Sequence, residues 1–252
     1  MTNIRWFLAL TLVVIASSAS ADIAFNTNGQ VYNQDFDTLN AINNSVNAWA
    51  DDSSIPGWYT NQISYIASTG SSTAASIYSF GPAGQPDRAI GSITTAPAGT
   101  NLIGVGFVNN TGATMTRFQV TFDGEQWRKA VNAVQQTLTF DYNIGNGISI
   151  NSAGYVPVSQ LDFAGPVVGP PGGLLNGNLP VNRVAGISFW VNGVNWLPGQ
   201  QMKLRWSDVD DPGTEHGLGI DNFSFTAIPE PTTFGLGSLV GLAALAIFRR
   251  RK

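Results

Sequence analysis

Between residues 22 and 228 apolar and polar residues alternate in short runs cut apart by turn residues, and this pattern limits the fold more than any other. Val31–Phe36, Ile63–Ala67, Ala75–Phe80, Ile103–Val108, Met115–Asp123, Leu138–Tyr142, Ile187–Val191, Met202–Trp206 and Gly219–Phe225 all read with a period of two. A strand with one face on a core and the other toward water produces that period. Asn28-Gly29, Asn110-Thr111-Gly112, Asp123-Gly124, Asn146-Gly147, Asn192-Gly193 and Pro198-Gly199 fall between the runs. Such pairs supply the positive φ that tight hairpins require. Only Trp127–Gln136 shows a helical period, and it is short. Strands with no intervening helices predict an all-β chain: one antiparallel, jelly-roll-like β-sandwich over residues 22–228. Gly165–Pro180 is irregular but rich in Leu and Val, so it reads as a long surface loop rather than a domain linker.

Charge narrows the function classes. Charged residues are 11% of the chain, against about 25% in a typical soluble protein. Of 12 basic and 16 acidic residues, residues 22–228 hold 7 basic and 15 acidic, a net charge of −8. Such a body repels nucleic acid and anionic lipid, so no nucleic-acid partner is expected. Cysteine is absent and histidine occurs once. That excludes a disulfide framework, a Cys nucleophile, a thiolate zinc site and a multi-His metal site. A Ser-His-Asp triad would have to use His216, and no G-x-S-x-G elbow accompanies it. The expectation is a protein that is not an enzyme.

The two ends read as addresses rather than fold. Arg5, the apolar run Trp6–Ala16 and the A-x-A pattern Ala19-Ser20-Ala21 match a secretory signal peptide over residues 1–21, cleaved after Ala21. At the other end Pro229-Glu230-Pro231 precedes the apolar stretch Thr232–Phe248 and the cluster Arg249-Arg250-Arg251-Lys252. The stretch falls short of the roughly 20 residues that span a hydrocarbon core unaided. The basic cluster would remain cytoplasmic. These three parts, in this order, resemble the PEP-CTERM sorting signal of Gram-negative bacteria. The resemblance implies that residues 229–252 form a transmembrane sorting helix, read by an exosortase-type membrane enzyme. It also implies delivery to the cell surface or an exopolysaccharide matrix.

The body resembles an extracellular β-sandwich module common in PEP-CTERM proteins. The resemblance rests on Gln34–Leu39, Gly57-Trp58-Tyr59, Tyr78–Gly81, Asp87–Gly91, Asn109–Gly112, Gly124–Arg128, Leu204–Asp208 and His216–Phe225. Asp35-Phe36-Asp37 near the start and Ile220-Asp221-Asn222-Phe223 near the end are similar to the terminal strands of jelly-roll carbohydrate-binding modules. In those modules an acid from each end helps to hold a structural calcium ion. The resemblance implies Ca²⁺ on Asp35, Asp37 and Asp221, with Phe36 and Ile220 turned into the core. A second choice is Asp208, Asp210 and Glu215, in a run that begins like a D-x-D-x-D-G calcium loop. Pro212 and the lack of a twelfth-position acid exclude an EF-hand there.

Glu125 and Trp127, with Trp190, are the candidate ligand-binding residues, because aromatic rings beside amides and acids suit a sugar. In Ile187–Val191, alternation puts Phe189 and Trp190 on opposite faces. The functional expectation is therefore an exported, non-enzymatic surface or matrix protein, structural, adhesive or glycan-binding, with exopolysaccharide as a partner. The alternative is a secreted polysaccharide hydrolase using Glu125.

Overall fold

The computed structural model describes residues 22–95, 99–131 and 133–230. The signal-peptide residues, Ala19 and Ala21 included, and the tail from Pro231 through Arg249, Arg250 and Arg251 lie outside the described residues. The first half of the chain forms β1 (Ile23–Phe25), β2 (Val31–Gln34), β3 (Val46–Ala48), β4 (Trp58–Thr60), β5 (Ser64–Ser68), β6 (Ser76–Phe80), β7 (Ala89–Ile93) and β8 (Asn101–Asn109). The second half forms β9 (Met115–Lys129), β10 (Thr137–Gly145), β11 (Val156–Pro157), β12 (Phe163–Ala164), β13 (Gly173–Leu174), β14 (Arg183–Trp196), β15 (Gln201–Asp208) and β16 (Gly217–Ile228). Short 3₁₀ turns at Ser159–Leu161 and Pro180–Asn182 complete the described elements.

The strands build two sheets packed as a β-sandwich. In sheet I, β1 and β4 lie end to end on β8, followed by β15 and β10, with β11 and β12 on the far side of β10. In sheet II, β14 and β13 share one side of β9; β16 follows, then β2 and β7 end to end, then β6, β5 and β3. Pairing is antiparallel except for β1 with β8 and β5 with β6. The core between the sheets is aromatic: Phe118 and Phe122 from β9, Phe223 and Phe225 from β16, and Trp206 from β15 are all buried. Trp58 stacks on Trp206 at 6.1 Å, and Phe107 on Phe225 at 4.1 Å.

Local departures from the sequence reading have steric causes. Asp123-Gly124 is not a turn but the middle of β9. A Cβ on Gly124 would lie 2.2 Å from the Phe163 ring, so the glycine makes room for β12 rather than for a bend. Asn192-Gly193 likewise stays inside β14, at a register shift. Among the described residues of Trp127–Gln136 there is no helix; β9 continues to Lys129, and the described residues beyond it are irregular up to β10. The run Val31–Phe36 stops at Gln34, because Phe36 adopts φ +58°. Gly165–Pro180 is the surface loop expected, with β13 docked on Arg128 and Lys129. Among the described residues, no helix is long and apolar enough to cross a membrane.

Candidate functional site

Alternation along β9 and β16 decides what the outer face of sheet II displays. Phe118, Val120 and Phe122 point into the core, so Thr121, Asp123, Glu125 and Trp127 point out. On β16, Leu218 and Ile220 are core residues, which turns Gly217, Gly219 and Asp221 outward. The register puts Asp221 directly opposite Asp123 and Gly219 opposite Glu125. Between Asp221 and Ser224 the pairing slips by one residue, and Asn222 at φ +50° forms the bulge. Asn222 then turns its amide back, donating to Asp123 Oδ2 and Asp221 Oδ2 at 3.1 Å each.

This end of the sheet gathers acids faster than bases. Glu125 is 1% exposed. Its Oε2 accepts the Trp127 indole N–H at 2.9 Å, while its buried Oε1 has no partner. Burial first, then the Glu125 charge and those of Asp87 and Asp37, pushes Asp221 up to about 8, against a hydrogen bond from the Asn222 amide. Burial also pushes Glu125 up to about 7, opposed by the Trp127 hydrogen bond and by Arg183. Burial raises Asp37 too, although its Oδ1 accepts the Arg88 amide at 3.0 Å. Of the nearby cations, Arg183 approaches Asp123 only to 3.7 Å. Arg88 is buried and pushed down to about 10 by burial, against Asp87 and Asp37.

The calcium trio is therefore brought together only in part. The Asp37 charge adds only the smallest part of the upward push on Asp221, and Phe36 and Ile220 are core residues as expected. Asp35 and Asp37 do not sit on a strand: the left-handed Phe36 turns the chain between them. Asp35 is exposed and lines a cleft of about 660 Å³ with Asn33, Gln34, Thr38 and Asn222. Among the described residues, no three Asp, Glu or His side chains form a ready metal cage. The donors that would suit a cation are the orphaned Glu125 Oε1 and the crowded Asp221, completed by neutral oxygens.

The second acidic group, at the end of β15, is held by the fold. Asp208 accepts the Ser92 hydroxyl, and burial pushes it up to about 7. Burial, then Asp208 and Asp211, pushes Glu215 up to about 8, although the Asp211 amide donates to its Oε1 at 3.1 Å. Asp210 is exposed. His216 Nδ1 accepts the Ala130 amide at 2.8 Å, and burial lowers its basicity. That nitrogen closes the β9–β10 connection rather than serving a nucleophile.

Of the proposed sugar-binding residues, Glu125 and Trp127 are enclosed. Trp127 is 2% exposed. It stacks with Phe80 at 6.3 Å, and Phe80 with Tyr78 at 4.7 Å, in a small second core on the outside of sheet II. The loop after β12 covers it: a Cβ on Gly177 would come 2.4 Å from the indole nitrogen. No ring face is left for a sugar. Trp190 differs. It is half-buried on the outer face of β14, with the Arg117 guanidinium 5.0 Å from its ring. Phe189, on the other face, packs against the main core.

The register around Trp190 exposes a feature that single-strand reading missed. Two rungs cross four strands of sheet II: Trp190–Gln119–Thr226–Val31, and Ser188–Thr121–Ser224–Asn33. Both are uncharged. Ser188 hydrogen-bonds Thr121 at 2.8 Å and Gln119 at 3.0 Å, and Asn33 opens into the cleft that Asp35 lines. The sequence signal was slight: Thr121 on β9, Ser188 on β14, and Ser224 and Thr226 on β16; which of them align is set by the bulge at Asn222.

No family model matches the chain, and no curated protein matches it. Among solved structures it is similar to a xylan-binding domain from Paenibacillus barcinonensis, at 10% identity and a TM-score of 0.37, over 81% of this chain and 99% of that one. It is also similar to TmCBM61, solved with beta-1,4-galactotriose, at 8% identity and a TM-score of 0.33, over 68% and 88% of the two chains. A third similar structure is the Agl-KA catalytic domain, at 14% identity and a TM-score of 0.31, over 89% and 32%. Likenesses this remote carry nothing about ligand or activity. The fold itself defines an all-β protein with two sheets in a sandwich.

Proposed function

We propose that this is an exported cell-surface or exopolysaccharide-matrix protein that binds glycan through the outer face of sheet II and has no catalytic role. The observation that carries the reading is the uncharged Ser188–Thr121–Ser224–Asn33 rung beside the half-exposed ring of Trp190. Sugar hydroxyls both donate and accept, and hydroxyl and amide side chains do the same. An aromatic ring takes the apolar face of a pyranose. Four strands at about 4.8 Å spacing make a row of roughly 14 Å, long enough to favour a chain over a single sugar.

Export and sorting follow from the terminal segments: a leader ending at Ala21, then the Pro229-Glu230-Pro231 motif and terminal arginines, read by an exosortase-type enzyme. A structural Ca²⁺ belongs to the same proposal. Asp221 and Glu125, with Asp37 close by, would hold it, and its charge would relieve carboxylates that burial now penalises. The glycan reading is tested by affinity for neutral polysaccharides and for the producer's own exopolysaccharide. Trp190→Ala is expected to weaken binding about tenfold. Binding indifferent to that change would remove the face from consideration. N-terminal sequencing of exported protein is expected to begin at Asp22, and deletion of residues 229–252 to release the protein into the medium.

A further inference from the structure

The outer face of sheet I carries a groove that none of the foregoing uses. Its floor is built from β15 and β4. Lys203 and Gln201 point outward because Met202 and Leu204 are core residues. Lys203 is 3% exposed, pairs with Asp22 and lies 3.8 Å from the Tyr59 ring centroid. Asp22 also accepts the Tyr59 hydroxyl at 2.8 Å and the Gln201 amide at 2.6 Å. Gly106 permits this: a Cβ there would lie 2.1 Å from Asp22 Oδ1. The walls are two loops, Asp51–Ser53 and residues 148–151, enclosing about 470 Å³. A second cleft of about 280 Å³, lined by Trp49, Thr60 and Gln62, continues past Asp51 and Asn151, which belong to both.

We propose that this two-part groove is a second glycan site, taking a neutral oligosaccharide chain, so that one sandwich engages polysaccharide on both of its outer faces. The inference rests on the glycan reading of the protein but not on the Trp190 face. Shape favours a chain, because the two clefts are adjacent, with Asp51 and Asn151 lining both, and together offer more length than a single cup. Charge favours a neutral chain: the one cation among the lining residues is already paired with Asp22, while the Asp51 carboxylate, held by N–H donors alone, would repel uronic or sulfated sugars. The groups offered are amides, hydroxyls and carboxylates. Asp51 Oδ1 is fixed by the Trp49 indole N–H at 2.8 Å and the Thr60 amide at 3.0 Å, which positions the carboxylate to accept sugar hydroxyls. Asp52 is held at φ +60° at the lip, a left-handed conformation that costs energy and recurs at ligand sites. Two separate glycan sites on one rigid body make a cross-link between chains, the property a matrix protein needs.

The test is hydrogen–deuterium exchange on the full chain with neutral hexasaccharides of glucose, xylose, mannose or galactose, and with an oligogalacturonate. A neutral hexasaccharide is expected to slow exchange in peptides covering residues 50–60 and 146–153. Asn151→Trp, an exposed loop position, is expected to abolish that protection and to weaken groove binding about tenfold or more, while melting as the wild type does. Trp190→Ala is expected to leave groove protection intact. Protection confined to β14 and β9 in every neutral sugar would overturn the groove and keep the other face. Protection of the groove alone would keep this site and remove the other. A groove that prefers oligogalacturonate, or one indifferent to Asn151→Trp, would overturn the proposal.

Discussion

The two outer faces of the sandwich treat charge in opposite ways. On sheet I, the two acids that lie on the outward side of the strands are matched to bases. Asp22 has Lys203, Tyr59 and Gln201; Asp141 takes Arg205 through two bonds at 2.9 and 2.6 Å; and Arg205 also lies 3.7 Å from the Tyr155 ring centroid. On sheet II, Asp123, Glu125 and Asp221 cluster with Asp87 and Asp37 near, and a buried carboxylate oxygen has no partner. Both faces flank the same main core, so packing between the sheets does not demand the difference. A matched face is finished and resists change. A mismatched face is stabilised by whatever brings positive charge to it, whether a proton or a cation.

The sharpest way to break the comparison is to unmatch the finished face. Lys203→Met leaves Asp22 buried without its cation, with only Tyr59 and Gln201 as donors. Removing one partner of a buried ion pair costs about 3–5 kcal/mol. Denaturant unfolding should show that loss, and Lys203→Met with Asp22→Asn should recover much of it. A single variant as stable as the wild type would mean that Asp22 is solvated and the face is not closed.

Calcium should act on the other face alone. With a dissociation constant near the ~0.1–1 mM usual for extracellular modules, saturation at about 100-fold excess adds about 2.7 kcal/mol. Thermal melting in EDTA and in excess Ca²⁺, near pH 8, reads it. Lys203→Met should keep the calcium response, and Asp221→Asn should lose it. Equal midpoints for the wild type in both conditions would remove the ion. A response that survives Asp221→Asn would move it to Asp208 and Glu215.

Protons should do by pH what calcium does by charge. Folded Asp221 sits at about 8 and Glu125 at about 7, both above their unfolded values, so between roughly pH 4 and 8 the folded state binds more protons than the unfolded state. Stability contributed by these groups is complete at the acid end of that window and falls as pH rises through it. Without calcium, the wild type should lose about 2 kcal/mol between about pH 5 and pH 8.5. Asp221→Asn should reduce the slope, the remainder belonging to Glu125, Asp208 and Glu215, and be the more stable protein at the alkaline end. A flat wild-type profile would mean that water reaches these carboxylates.

Most of the fold was legible in the sequence, because alternation reports which face of a strand is wet and turn pairs report where strands end. The two-sheet sandwich and the core side of most strand residues follow from that local information, while the core placement of Phe36 and Ile220 was implied by the resemblance to jelly-roll modules. What failed was information that only register carries. Asp123-Gly124 looks like a turn, and nothing nearby announces that Phe163, some forty residues on, needs the space of its missing Cβ. Trp127 has the composition of a sugar platform; its burial depends on a loop whose glycine at 177 lets the chain lie on the indole. Of the candidate site residues, Asp37 and Asp221 belong to segments that meet because β2 pairs with β16, and Asp35 turns away because Phe36 is left-handed. The groove on sheet I draws on three distant segments, two of them ordinary polar loops and the third the outward side of β15, and nothing in any one of them announces the others.

The smallest expected effect is also the one that separates function from stability. Trp190 is half-buried at the edge of sheet II, and its recorded partner is Arg117, a cation–π contact at 5.0 Å. Such a contact at an exposed site is worth about 0.5–1 kcal/mol. Trp190→Ala should therefore melt within a few degrees of the wild type, keep the calcium response and keep the pH slope. On the matched face the same kind of contact behaves otherwise: Lys203 over Tyr59 is locked to a buried acid, so truncation there strikes the fold itself. If Trp190→Ala instead destabilised the protein by several kcal/mol, the ring would be a structural buttress for β14, and its loss of glycan binding would say nothing about contact with sugar. Near-native melting together with the tenfold loss of affinity expected above would assign the ring to the ligand.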